Sequence, residues 1–283
     1  MTPARTRAPS GPPGKKLKVE GGEIAFETLG RGSPILFIHS AIADRRMWDY
    51  DVPRYADDHR VVRFDLRGFG KSTPATGPFS CGDDIGSLLD HLHASPAFLV
   101  GSSMGGAFAI DFALAHPDKV RGLFLAAPGL SGGLLPPFDP PEQAAFEYDD
   151  AKSKEIAESW GRKDADRAFE LLRALWCAAL DGPNLERFRT MVRENAAEVF
   201  EDRSFRHARR APPPLGLLPS LRVPTTVLVG DRDNPSSIPF AQHIARAIPN
   251  ARLVTVPGAD HLINLSQPDR FHAELRAALV AAE

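Results

Sequence analysis

Ser103 sits at the centre of Gly101-Ser102-Ser103-Met104-Gly105, with glycine two residues before and two residues after it, between an apolar run and a helical pattern. The apolar run is Ala97-Phe98-Leu99-Val100, and the small-residue helical stretch extends from Met104 to Ala109. A chain that turns sharply from strand to helix strains the residue at the corner and lifts that side chain clear of the sheet. Glycines at the flanking positions leave room for the turn and for close approach of helix to strand. Ser103 is therefore the expected nucleophile. Ser102, flanked at the same distances by Val100 and Met104, belongs to the strand end.

A serine hydroxyl is a weak nucleophile until a base takes its proton. Of the nine histidines, His261 directly follows the last expected strand, at the carboxyl edge where ligand sites of parallel sheets form. His39 also ends a strand, but it precedes the nucleophile and suits a structural role better. The base needs an acid to orient it. Gly230-Asp231-Arg232-Asp233 follows another expected strand, and both aspartates qualify. Asp233 lies farther into the loop, where its side chain can turn to the histidine; Asp231 fits turn chemistry. The chain order becomes Ser103, Asp233, His261.

The elements that must position these residues follow from period and turn signals. Leu17–Val19 and Ile24–Thr28 form an expected antiparallel pair across Gly21-Gly22. Ile35–Ile38, Val61–Phe64, Ala97–Val100, Gly122–Ala126, Thr225–Val229 and Arg252–Val256 are short, nearly continuous apolar runs, as strands buried on both faces require. Helical patterns cover Arg45–Ala56, Asp83–His93, Met104–Ala115, Ile238–Ala247 and Asp269–Ala282. The alternation predicts a doubly wound, mostly parallel α/β sheet.

About 95 residues separate the strand ending near Ala127 from Thr225, and prolines bound this stretch. Inside it, Phe169, Leu172, Leu175, Trp176 and Leu180 fall on one helical face, and Leu185, Phe188, Met191, Val192, Ala196 and Val199 on another. The expected organisation is a disordered leader over 1–15, a core over 16–135 and 216–283, and a helical lid over 136–215. Most lid apolar groups must pack on one another; Trp160 and Trp176 are the two expected to line a substrate pocket.

Five segments in register resemble the α/β-hydrolases of the small esterase and 3-oxoadipate enol-lactonase kind. They are Phe37-Ile38-His39-Ser40, Phe64–Ser72, Gly101–Gly106, Gly230–Asp233 and Asp260-His261. The resemblance implies that the backbone N–H groups of Ala41 and Met104 form the oxyanion hole, and it supports Asp233 as the acid. It also implies cleavage of a small, partly apolar carboxylic ester or lactone through an acyl-enzyme, with no cofactor and no metal. Two departures matter. Serine at position 40 replaces the glycine that commonly follows the histidine, which bears on the Ala41 loop. Leu262 stands where carbon–carbon bond hydrolases usually carry tryptophan. A perhydrolase shares the same machinery, and a hydrolase-like receptor with slow or no turnover is the reading from a different function class.

Composition sets the remaining bounds. The 283 residues carry 34 Lys+Arg against 36 Asp+Glu, with no long block of one sign, so neither nucleic acid nor an anionic membrane is an expected partner. The expected partner is a small-molecule substrate. Cys81 and Cys177 lack metal-ligand spacing and are expected as free thiols in a cytoplasmic protein. No apolar stretch suits a secretory signal in the first fourteen residues.

Overall fold

The structure, a computed structural model, describes residues 14–131, 137–208 and 213–283. Residues 1–13 of the expected leader, and the insert's bounding residues Pro136 and Pro212, lie outside the described residues.

Eight strands form one sheet in the order β1-β2-β4-β3-β5-β6-β7-β8. They are β1 (Lys15–Val19), β2 (Gly22–Leu29), β3 (Ser33–Ile38), β4 (His59–Phe64), β5 (Ala97–Ser102), β6 (Val120–Ala126), β7 (Thr225–Gly230) and β8 (Arg252–Val256). β1 pairs with β2, and β2 with β4, antiparallel; every later pairing is parallel. β1 begins at Lys15, one residue inside the expected leader.

The near-continuous apolar runs are explained by alternation onto two covered faces. Ile35, Phe37, Phe98, Val100 and Phe124 point to one core, with Trp48, Phe271 and Leu275. Leu36, Ile38, Leu99, Leu123 and Leu125 point to the other. Helices α1 (Cys81–His91), α2 (Met104–Ala115) and α7 (Ser237–Ala247) cover that second face through Leu88, Ile110, Phe112 and Ile244. In β5 and β7 every residue is buried, because both faces of the sheet are covered there. The edge strands β1 and β8 keep exposed positions, so the Arg252–Val256 run is not buried on both faces.

Between β6 and β7 lie α3 (Pro140–Gly161), α4 (Ala165–Trp176), α5 (Gly182–Glu194) and α6 (Ala196–Glu201). α3 opens on a capping box: Asp139 accepts from the Glu142 N–H, and Glu142 accepts from the Asp139 N–H. The inner faces of α4 and α5 meet through Phe169, Leu172, Phe188 and Val192 and join the first core. After β8 come α8 (Ile263–Ser266) and α9 (Pro268–Val280).

Three local expectations need correction. Arg45–Ala56 is not one helix but two 3-10 turns, Arg45–Trp48 and Val52–Arg54. Asp44 caps the first turn, and Pro53 cannot continue a helix from the preceding turn because it has no N–H to donate. Leu180 lies beyond the end of α4, although it is buried with that helix's face. The second expected face is divided at Asn195, where α5 ends and whose side-chain amide donates to the Met191 carbonyl at 2.7 Å. The amide also donates to Asp44 Oδ2 at 2.7 Å, and the side-chain oxygen accepts from Gly70 N at 2.7 Å.

Candidate active site

Ser103 occupies the corner between β5 and α2 with φ 53° and ψ −115°, a left-handed backbone that side chains other than glycine adopt at a cost of about 1–3 kcal/mol. Its N–H donates to Ala126 O at 2.9 Å, and its carbonyl accepts from Gly106, Ala107 and Gly129 N–H groups at 2.9–3.1 Å. These four bonds hold the strained corner. The flanking glycines are required by contact. A Cβ on Gly101 would meet Gly105 O at 2.5 Å, and one on Gly105 would run into the Ile38 and His39 carbonyls. The second contact shows how close the β3 loop comes to the start of α2. That approach brings Ala41 beside Ser103 in one cavity. Among the described residues, neither the Ala41 nor the Met104 N–H donates to a protein acceptor.

His261 lies in the loop after β8, nearly buried, and Asp233 in the loop after β7, with its side chain fully buried. His261 Nδ1 lies 2.9 Å from Asp233 Oδ1 and 3.0 Å from Oδ2. Asp233 Oδ1 also accepts from Asn234 N at 2.7 Å. Burial pulls the imidazole's pKa down. The Asp233 charge and hydrogen bond, with the charge of Asp260, outweigh it and raise the pKa above the ordinary 6.5. Asp231 turns elsewhere and accepts from Gly258 N at 2.6 Å. The two aspartates thus separate, one toward the imidazole and one into a turn.

His39 has both nitrogens engaged. Nε2 accepts from Leu66 N at 2.9 Å, which leaves Nδ1 to donate to Ser40 O at 2.8 Å. Burial keeps its pKa below the ordinary value, so the ring is a neutral strut. Ser40 stands outside the left-handed region, so no glycine is needed there. Its Oγ accepts from Ile42 N at 3.4 Å and its carbonyl from Ala43 N at 3.2 Å. Asp65 and Arg67 tie loops together: Asp65 accepts from Arg45 N and Lys71 N, and Arg67 binds Asp84 through two nitrogens.

Ser103, Ala41 and His261 line a cavity of about 420 Å³ beneath the inserted helices. Trp176, Ile156, Leu172 and Phe200 supply its apolar wall. Met104 borders Ser103 on the other side, in a second cavity. Trp160 is not brought to the first cavity. It stacks on Phe200 at 4.5 Å between ring centres, and its Nε1 donates to Glu201 Oε1. Phe200 stands at the wall in its place.

Nothing in the sequence singles out Asp149. This α3 residue is buried and accepts from Asn234 Nδ2 at 2.5 Å and Ser236 N at 2.8 Å, so it steadies the segment that follows Asp233. Nor was the tie from Ala179 N to Asp260 Oδ2, at 3.0 Å, legible. Both span more than 80 residues, and a lone aspartate in a helix carries no local mark of such a contact. Cys81 and Cys177 are buried free thiols whose pKa values burial pushes well up. Among the described residues, no group of three or more His, Cys, Asp or Glu side chains is placed to hold a metal ion, and no helix is long and apolar enough to cross a membrane.

The alpha/beta hydrolase family model matches residues 35–274. The chain belongs to the alpha/beta hydrolase family. Among curated members, it is 29% identical to the pimeloyl-[acyl-carrier protein] methyl ester esterase of Neisseria meningitidis, over 86% of this chain and 91% of that one. Among solved structures, it superposes on a thermophilic esterase from Thermogutta terrifontis with a TM-score of 0.73 and 29% identity, covering 95% and 99% of the two chains. It also superposes on Est816, an N-acyl homoserine lactone degrading enzyme, with a TM-score of 0.71 and 25% identity, covering 93% and 99%. An enol-lactonase from Burkholderia xenovorans, at 21% identity and a TM-score of 0.70, shares the fold.

Proposed function

We propose that this alpha/beta hydrolase cleaves a small, partly apolar carboxylic ester or lactone through a covalent acyl-enzyme on Ser103. The observation that carries the reading is the convergence of three separate loops. A strained serine corner and a buried His261–Asp233 pair meet at one cavity. Esterases and a lactone-degrading enzyme among the relatives support the same class.

The chemistry follows from the geometry. Ser103 Oγ attacks the ester carbonyl carbon as its proton passes to His261 Nε2. Asp233 holds the other ring nitrogen protonated and stabilises the imidazolium. The developing oxyanion meets the Ala41 and Met104 N–H groups, each worth roughly 3–4 kcal/mol in the transition state. Collapse expels the alcohol, which takes the proton from His261. Water then enters, gives its proton to His261, attacks the acyl carbon and frees Ser103. A raised imidazole pKa suits a base that must hold a proton through the intermediate. The inserted helices serve as a lid: Trp176, Leu172 and Ile156 exclude water and favour apolar substrate groups.

A panel of short and medium esters and lactones, run on the purified protein and on Ser103→Ala, tests this. Turnover by the native chain that Ser103→Ala abolishes is expected. Native inactivity across the panel would favour a binding protein instead.

A further inference from the structure

Two cavities meet at Ser103. The first, described above, contains His261. The second, of about 850 Å³, runs along α2, and the two share only Ser103 and Gly129. Its near end is apolar, with Met104, Phe108, Leu130 and Phe205. Farther along α2 lies Asp111, which borders this cavity and not the first.

The hydrolase reading, on which this inference rests, distinguishes the two sides. When the tetrahedral intermediate collapses, the bond from carbon to the alcohol oxygen breaks, and that oxygen takes the proton held by His261. The alcohol must therefore lie where His261 is, in the first cavity. The acyl chain leaves the same carbon in another direction. Met104, whose N–H is an oxyanion donor, borders the second cavity, so the acyl chain has that space open to it on the far side of Ser103.

Asp111 gives that space a chemical preference. Its carboxylate accepts from Ser131 Oγ at 2.7 Å, and among the described residues no cation pairs with it. Burial raises its pKa to about 6, against the help of the Ser131 hydroxyl. Asp83, Asp202, Arg206 and His116 also border the cavity; one Arg206 nitrogen donates to the Glu201 carbonyl, and the Arg206 charge acts on Asp202. A half-buried carboxylate with one neutral partner gains most from a donor that arrives with the ligand. Met104 to Asp111 spans seven residues of helix, roughly 10 Å, or about eight bonds of extended alkyl chain.

We propose that the cavity along α2 is the acyl subsite, and that it takes a medium-length acyl chain ending in a hydrogen-bond donor, a hydroxyl or ammonium group, held by Asp111. The alcohol moiety occupies the cavity beneath the inserted helices.

The test compares kcat/KM for methyl octanoate, methyl 8-hydroxyoctanoate and methyl 8-aminooctanoate, with octyl acetate as the ester whose long arm is the alcohol. The native chain should prefer the 8-amino and 8-hydroxy esters over plain octanoate, the amino ester by about tenfold. In Asp111→Asn the amino-to-plain ratio should fall toward one. Leu130→Trp, which narrows only the α2 cavity, should lower the octanoate-to-octyl-acetate ratio by about tenfold or more. Ratios within one variant cancel any loss of folded protein. Unmoved ratios in both variants, or a Leu130→Trp effect on octyl acetate rather than on octanoate, would overturn the assignment while Ser103 still took a fluorophosphonate label. A native chain that neither turns over these esters nor takes that label would remove the hydrolase reading, and this one with it.

Discussion

The backbone N–H of His261 donates to the carbonyl of Trp176 at 2.9 Å. The candidate base is therefore tied to the C-terminal end of α4, and the same tryptophan's side chain lines the cavity beside it. Ala179 N and Asp149 add further ties from the inserted helices to the loops of His261 and Asp233.

These ties separate two effects of Trp176. Trp176→Ala keeps the carbonyl and its bond to His261 while removing the indole from the cavity wall. It should shift preference among leaving alcohols, mostly through KM, and leave the rate of Ser103 phosphonylation by a small fluorophosphonate within a few-fold of native. Trp160→Ala should instead lower the melting temperature, for a loss of about 1–3 kcal/mol, since its ring stacks on Phe200 and is only partly buried. An alcohol preference moved by Trp160→Ala and not by Trp176→Ala would contradict the placement of both.

Asp233→Asn should reduce kcat by on the order of 10⁴, because an amide no longer holds the Nδ1–H tautomer or stabilises the imidazolium. Asp231→Asn should cost far less, since Asp231 accepts from Gly258 N in a turn. Steady-state kinetics on one nitrophenyl ester ranks the two, and the reverse ranking would refute the assignment.

The pH profile follows from the sign of the His261 shift. The base acts only when neutral, and its pKa is raised. The kcat/KM of the free enzyme should therefore rise with pH through a midpoint above 6.5. Removing the Asp233 charge should move that midpoint down. A native midpoint well below 6.5 would mean that desolvation, not Asp233, dominates the ring.

A second buried carboxylate predicts a stability effect away from the site. Asp51 is fully buried, accepts from Asn264 Nδ2 at 2.9 Å and faces His272 Nε2 at 3.4 Å; desolvation pushes its pKa up to about 7. The folded chain then holds this proton more tightly than the unfolded chain, so its contribution to stability is present below pH 4 and is lost as pH rises to about 7. The melting temperature of Asp51→Asn, relative to native, should climb between pH 4 and 7. A constant difference would show that Asp51 ionises without penalty.

What the sequence made legible was local. Each of the eight strands and the helices flanking the sheet carried its own period, and Ser103 and the Gly230–Asp233 turn carried their own spacing. Legibility failed where a choice depended on residues distant in the chain. Arg45–Ala56 has helical periodicity, yet Asp44, Asp51 and Pro53 divide it into short turns whose groups bond to Asp65, Asn195 and Asn264. Trp160 and Trp176 looked equivalent on apolar helices. The stack on Phe200, forty residues away in sequence, withdraws one, and the bond to His261 fixes the other at the cavity. The second cavity arises where α1, α2 and the segment after α6 face one another, a relation that no window of sequence contains.

The most direct test of the account is the site of covalent modification by a fluorophosphonate, mapped by peptide mass spectrometry on the native chain and on Ser103→Ala. The account predicts one equivalent of label on Ser103, its loss in Ser103→Ala, and a fall in kcat on the order of 10⁴–10⁶ in that variant with the melting temperature retained. Label on Ser102 or Ser40, or undiminished turnover by Ser103→Ala, would contradict it.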